Sequence, residues 1–370
     1  MAFSARAKLR ASSVAEVGRL PFSFLTPEFR RNVFFIYEKR LRIHSPPEKV
    51  FDYFSSVQNN RGTFMTSLDL MRAAIPVFQP ASSSQVRSGF LGGEQREARE
   101  QSAVSGFDQF CPDSDFFKLF DTDGDGLISF QEYLFFVTLL SLPESQVKST
   151  FQDFDLDGNG HLCRREFIEM MKVMRLSTGR AKATGFRTGM KPINVDNLSA
   201  GLLHYFFGDP DKDYRLSLLQ FETFLHKLRS TMDELEFKHY DFTGVGSISL
   251  HDFGYSLVAG ADVVRIQYLI ERASKLASSN IGISAERVSK EQFLAFCRLL
   301  KHGGTNFQEK VQAHVINGAQ LDKLSFMRFA KECGEHLSEK QIDVLFFIFD
   351  IDGDGLLSPE ELLHVICRWH

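Results

Sequence analysis

Apolar residues recur along this chain at offsets of three and four, and one such pattern appears three times around a short acidic stretch. Phe117 and Phe120, Phe151 and Phe154, and Phe346 and Phe349 stand ahead of those stretches. Tyr133, Phe136 and Val137, then Phe167, Met170 and Met171, then Leu362, Val365 and Ile366 follow them. These offsets put side chains on one face of a helix, so each stretch is predicted to lie between two amphipathic helices. The rest of the chain reads the same way, as helices of about ten residues with vestigial strands. The pattern predicts an all-α protein and accounts for much of an unusual composition, in which Phe occurs 38 times.

The three acidic stretches are near-copies: DTDGDGLISFQE at 121–132, DLDGNGHLCRRE at 155–166 and DIDGDGLLSPEE at 350–361. Each carries oxygen-bearing side chains at positions 1, 3 and 5, Gly at 6, an aliphatic at 8 and Glu at 12, which is the spacing of the EF-hand calcium loop. A hard cation needs oxygens converging from one turn of chain. The candidate ligands are Asp121, Asp123, Asp125 and Glu132; Asp155, Asp157, Asn159 and Glu166; and Asp350, Asp352, Asp354 and Glu361. Position 7 adds a backbone carbonyl, from Leu127, His161 and Leu356. Three complete loops, each with matched helices, make Ca²⁺ the expected cofactor. The 155 loop offers three carboxylates where the others offer four and carries Arg164 and Arg165, so it is expected to bind most weakly, with its neighbour at 121 as the hand it pairs with.

Damaged copies recur. DPDKDYRLSLLQ at 209–220 has Tyr214 in place of Gly and closes with Gln220. DFTGVGSISLHD at 241–252 has Val245 at position 5, and NGAQLDKLSFMR, read as 317–328, closes with Arg328. Residues 58–69 and 281–292 are weaker still. Because EF-hands pack in pairs through a short strand at position 8, silent partners are expected, giving up to eight hands of which three bind. Met170, Met171 and Met174 read either as core or as an adaptable surface.

A net charge of −4 argues against general nucleic-acid binding. Apolar runs are short, such as Val344–Phe349, where a membrane-spanning helix needs about 20 residues. The five cysteines form no CxxC pair and read as reduced thiols rather than a zinc site or disulfide framework. No Gly-rich phosphate loop, GxSxG, HExxH or paired catalytic carboxylates outside the metal loops occurs, so no enzyme is expected. Residues 1–50 carry ten Lys/Arg against four Glu. The first fifteen, with Arg6, Lys8, Arg10 and no acid before Glu16, read as a mitochondrial targeting segment or a basic tail.

Between the loops lie FFIYEKRLRIHSPPEKVFDYFSS (34–56), FMTSLDLMRAAIPVF (64–78), GLISFQEYLFFVTLLSLPE (126–144), LLHYFFGDPDKDYRLSLLQF (202–221) and INGAQLDKLSFMRFAKECGEHLSEKQIDVLFFIFDIDGDGLLSPEEL (316–362). Together these segments resemble the mitochondrial calcium uptake (MICU) family from about residue 30 to 366, and the intact first loop with SPPEKVF is more similar to its plant or algal branch. The resemblance implies a calcium-sensing gatekeeper of the mitochondrial calcium uniporter, in the intermembrane space and peripheral on the inner membrane, that blocks at low calcium and releases when its EF-hands fill. It implies the uniporter's pore subunit as partner, a homo- or hetero-dimer with MICU-type proteins, contact with anionic inner-membrane lipid, and no nucleic acid. Basic positions matching the family's channel contact are Arg40, Arg42, His44 and Lys49, while a further basic position of the family is Asp52 here. Animal relatives dimerise through a C-terminal helix and cysteine, and the resemblance implies that a sequence ending at His370 is either a piece of a longer chain or one with different dimer contacts. The alternative reading is a soluble EF-hand sensor or adaptor not tied to a channel.

The expected organisation is a tail over 1–30; a small N-terminal domain over 31–110 with a degenerate hand and a flexible loop (80–106); an N-lobe over 111–235 with hands at 121–132, 155–166 and 209–220 and a basic linker (172–191); and a C-lobe over 236–370 with degenerate hands and the hand at 350–361.

Overall fold

The helices begin where the sequence supplies caps. At position 9 of each loop stands Ser, Thr, Asp or Cys, and at position 12 a residue that can bond back across the first turn. Thr66 with Asp69, Ser129 with Glu132 and Ser217 with Gln220 form complete capping boxes. The same residues that would close a calcium shell therefore start the outgoing helix. Silent hands keep this cap, which is why they keep the fold.

This computed structural model describes residues 27–79, 120–121, 125–142, 144–177, 200–208, 214–261, 265–279, 286–300, 313, 320–358 and 360–361. The expected targeting segment, the loop at 80–106, most of the basic linker, Asp123 and the helix after the third loop lie outside them.

The elements come as four pairs of hands. The first uses α1 (Pro27–His44), α2 (Pro47–Phe54), β1 (Val57–Asn59), β2 (Gly62–Phe64), α3 (Ser67–Ala74) and α4 (Phe130–Leu140). The second uses α5 (Glu144–Phe154), β3 (His161–Leu162), α6 (Arg164–Ser177), α7 (Ala200–Phe207), β4 (Leu216–Ser217) and α8 (Leu218–Tyr240). The third uses β5 (Ser247–Ser249), α9 (Leu250–Gly260), α10 (Ile266–Leu276), β6 (Arg287–Ser289) and α11 (Lys290–Leu300), and the fourth β7 (Leu321–Asp322), α12 (Lys323–Glu332), α13 (Glu339–Phe349) and β8 (Leu356–Leu357).

Antiparallel contacts at position 8 define these pairs. Met65 faces Ile128, Leu162 faces Leu216, Ile248 faces Val288 and Leu321 faces Leu357. Four expectations change. The 155 loop pairs with the silent hand at 209, not with the 121 loop, because chain order starts the pairing at the silent hand 58–69. That first pair also crosses the boundary expected at 110. The hand read as 317–328 is in fact 314–325: Leu321 holds position 8, Asp322 caps α12 by accepting from the Ser325 N–H at 2.9 Å, and the closing residue is Ser325 rather than Arg328. The boundary at 235 also fails, since it falls within α8.

Helix α8 is 23 residues long and serves both halves. Phe221, Phe224, Leu225 and Leu228 are buried toward its start, and Leu235, Phe237 and Tyr240 toward its end. Around the second pair, the ring of Phe167 lies 5.5, 5.6 and 6.2 Å from those of Phe206, Phe207 and Phe221. Stacked and edge-on aromatic pairs of this kind add about 0.5–1.5 kcal/mol each beyond area burial. In the C-terminal half, a Cβ on Gly254 of α9 would stand 2.9 Å from Leu276 Cδ2 of α10 and 3.2 Å from Ile348 Cδ1 of α13, so the absence of a side chain lets three helices close together.

Helix α1 and residues 75–79 tie the halves to each other. Phe35 stacks on Phe78. The Phe78 N–H donates to Tyr240 Oη at 3.1 Å, and its carbonyl accepts from His239 Nε2 at 2.7 Å. Lys39 Nζ donates to the carbonyl of Ala259 at the end of α9, and the Arg31 guanidinium covers the Tyr255 ring.

Candidate metal centres

Each complete loop is turned by its first aspartate. Asp121, Asp155 and Asp350 accept through Oδ2 from the N–H of Gly126, Gly160 and Gly355 at 2.8, 2.7 and 2.9 Å. Those glycines have φ of +76°, +77° and +81°, a conformation a Cβ would strain. Position 5 then fixes position 7: Asp125, Asn159 and Asp354 accept from the N–H of Leu127, His161 and Leu356 at 2.9, 2.8 and 2.8 Å.

The closing glutamates complete a ring. Glu166 accepts from the Leu156 N–H at 3.2 Å with one oxygen and from the Cys163 N–H at 2.8 Å with the other. Glu361 does the same with Ile351 at 2.6 Å and Ser358 at 2.9 Å. Burial raises the Glu361 pKa, but the Ser358 hydroxyl and N–H and the Ile351 N–H outweigh it, so the carboxyl is held below its usual value. Glu132 is buried and accepts from the Ser129 N–H at 2.8 Å. The ligand oxygens of Asp155, Asp157 and Glu166 lie within 4.8 Å of one another, as do those of Asp350, Asp352 and Glu361. Convergent carboxylates on a glycine-turned loop fit a hard divalent cation that takes several oxygens. A third cluster, Asp233, Glu236 and Cys297, is buried between α8 and α11 and mixes a thiol with its acids, unlike the all-oxygen loops.

The silent loop at 241–252 keeps the turn and loses a ligand. Asp241 accepts from the N–H of Val245 and Gly246 at 3.0 and 2.7 Å, as position 1 does in the complete loops, but Val245 offers no oxygen side chain. In the loop at 58–69, the hairpin Val57–Phe64 takes the place of an oxygen cage.

The basic segment is divided by burial. Arg40, His44 and Lys49 are exposed. Arg42, expected at a partner surface, is only 3% exposed. Its Nε and Nη2 donate to the carbonyl of Arg72 at 2.8 and 2.6 Å, Nη2 pairs with Glu38 at 3.3 Å, and the guanidinium lies over the Phe54 ring. Burial lowers its pKa to about 10, with Glu38 opposing the shift. Arg42 thus holds α1 to α3 and is corrected from contact residue to structural residue. Met170, Met171 and Met174 are all buried, which decides for core.

EF-hand domain-pair models match residues 115–172 and 317–365. The mitochondrial calcium uptake protein of Arabidopsis thaliana is 41% identical over 345 residues, covering 92% of this chain and 66% of that protein. Mitochondrial calcium uptake protein 1 of Rattus norvegicus is 30% identical over 355 residues, covering 91% of this chain and 70% of that protein. The chain belongs to the mitochondrial calcium uptake protein family. Within it, the higher identity to the Arabidopsis protein agrees with a plant-like branch. The chain spans 66–70% of the length of these relatives. The apo structure of the mitochondrial calcium uniporter protein MICU2 superposes with a TM-score of 0.54 at 22% identity, over 87% of this chain and 88% of that one, a likeness of fold.

Membership in the uptake family leaves several side chains unaccounted for by motif. Arg272 of α10 donates to the carbonyls of Phe347 at 2.6 Å and Ile351 at 3.4 Å, and also to that of Asp350, neutralising the C-terminal end of α13 just ahead of the third loop. Arg61, Arg215 and Gln320, from silent hands, reach ligands of the complete loops. No loop template flags them, because they belong to the partner hand.

Proposed function

We propose that this chain is a calcium-sensing regulatory subunit of the mitochondrial calcium uniporter, without enzymatic activity, that blocks conduction at low calcium and releases it when its loops fill. The observation that carries the reading is the pair of rings at 155–166 and 350–361, in which three carboxylates converge on one point, in a chain of the uptake family. Calcium is held by Asp121, Asp123, Asp125, Leu127 and Glu132; by Asp155, Asp157, Asn159, His161 and Glu166; and by Asp350, Asp352, Asp354, Leu356 and Glu361. When bound, it supplies the charge that neutralises these oxygens. The chain's part is to change the angle between the helices that flank each loop, since the closing glutamate also bonds back to the cap of the outgoing helix. The protein works in the intermembrane space, peripheral on the inner membrane, alone or paired with a related chain.

The docking face toward the pore subunit is the exposed side of α1 and the start of α2. Phe29, Val33 and Tyr37 are exposed at four-residue spacing, and Arg40 and His44 continue the same side. Lys49 lies just beyond. An acidic pore rim or anionic lipid suits that surface, and its attraction weakens with salt over a Debye length of about 8 Å. Calcium uptake by mitochondria lacking the endogenous regulator, with and without this protein, tests the reading. Suppression of uptake at resting calcium that is relieved at high calcium supports it; identical uptake in both preparations contradicts it.

A further inference from the structure

Each complete loop is paired with a silent hand, and each silent hand places one side chain on a calcium ligand of its partner. Arg61 of the hand at 58–69 pairs with Asp125, Nη2 to Oδ2 at 2.9 Å. Arg215 of the hand at 209–220 stands 3.5 Å from Asp157. Gln320 of the hand at 314–325 donates to Asp354 Oδ2 at 3.3 Å. Arg215 and Gln320 both hold position 7 of their loops, next to the position-8 contact that joins each pair. The third pair, where neither loop is complete, shows the same reach with no ligand to meet. Arg287, again at position 7, donates to the hydroxyl and carbonyl of Ser247 at 2.8 and 2.6 Å.

A neighbouring guanidinium and a divalent ion compete for the same carboxylate. Even where both can be accommodated, the positive charge beside the ion disfavours it. A neutral amide exerts no such penalty. We infer that the silent hand of each mixed pair sets the calcium affinity of its working partner through this one side chain, Arg61 and Arg215 weakening the sites at 121 and 155 while Gln320 leaves the site at 350 at full strength. This rests on the reading that the three complete loops take calcium. It also gives the silent hands a role beyond packing: they spread three similar loops over a range of calcium concentrations, with the 350 site filling first and the 155 site, which has both fewer carboxylates and an opposing arginine, filling last.

The test is calcium calorimetry on the full chain. Glu166→Gln with Glu361→Gln isolates the 121 site, and Arg61→Gln is added to that background. Arg61 is 63% exposed at its side chain, so its replacement leaves packing intact. The affinity should tighten by about fivefold, by less in high salt, and Arg61→Lys should restore it to within about twofold of the parent. The converse variant, Gln320→Arg in a Glu132→Gln, Glu166→Gln background, should weaken the 350 site by a similar factor. Unchanged affinities in both Arg61→Gln and Gln320→Arg, or weaker binding on removing Arg61, would overturn the inference while the calcium reading stands. Absence of any calcium heat in the unsubstituted chain would overturn both.

Discussion

Met65 and Ile128, 63 residues apart, exchange both backbone hydrogen bonds, at 2.9 Å from the Met65 N–H and 2.8 Å from the Ile128 N–H. This β-bridge joins a hand without a complete ligand set to the first complete loop. Met65 is fully buried. Met65→Ala should therefore cost about 2–4 kcal/mol of stability. It should also weaken calcium binding at the 121 loop and leave the 350 loop unchanged, as read by thermal unfolding and site-isolated titration.

The burial of Arg42 separates fold from docking. Arg42→Glu sets a second carboxylate against Glu38 in a buried site, and loss of such a pair costs about 3–5 kcal/mol. Urea unfolding should show that loss. Arg40→Glu and Lys49→Glu lie on the surface and should stay within about 0.5 kcal/mol of the parent, while reducing binding to mitochondria that carry the pore subunit.

His239 gives the fold a pH dependence. Burial lowers its pKa from 6.5 to about 4; the carbonyl of Phe78 opposes the shift and the charge of Arg72 assists it. Between those values the unfolded chain binds a proton that the folded chain does not. Stability is thus full above pH 6.5, falls as pH drops toward 4 and levels off below, a loss of up to about 3 kcal/mol. His239→Gln keeps an N–H donor for Phe78 and should flatten that slope in denaturant titrations between pH 7 and 4.

Gly254→Val tests the packing of the C-terminal half. Its side chain would meet Leu276 and Ile348, and overpacking of this kind costs about 1–3 kcal/mol. Hydrogen exchange should quicken in α9, α10 and α13 and remain unchanged in α5 and α6.

The three complete loops were legible in the sequence because ligand chemistry fixes both residue type and spacing. Where the ligand set is incomplete, spacing relaxes. The hand at 314–325 has Ala319 where Gly is usual, so the register that best resembles a loop falls three residues late and closes with Arg328. Its signal was the cap Asp322-x-x-Ser325 behind Leu321, the same arrangement of position 8, cap and third helical residue found in every other hand. Pairing was illegible for a related reason: the order of pairs is counted from the weakest hand, at 58–69. Arg42 misled because a charged residue in a basic run reads as solvated. Yet Phe35, Glu38, Lys39 and Arg42 share one stripe of α1, and all four are buried.

Calcium control of uniporter conduction is tested by adding the protein with Glu132→Lys, Glu166→Lys and Glu361→Lys together to mitochondria lacking the endogenous regulator. Calcium uptake is then followed at resting and at high calcium. The triple variant should suppress uptake at both concentrations, whereas the unsubstituted chain should suppress it only at the lower one. Relief at high calcium of the block imposed by the triple variant would show that the loops are not the switch.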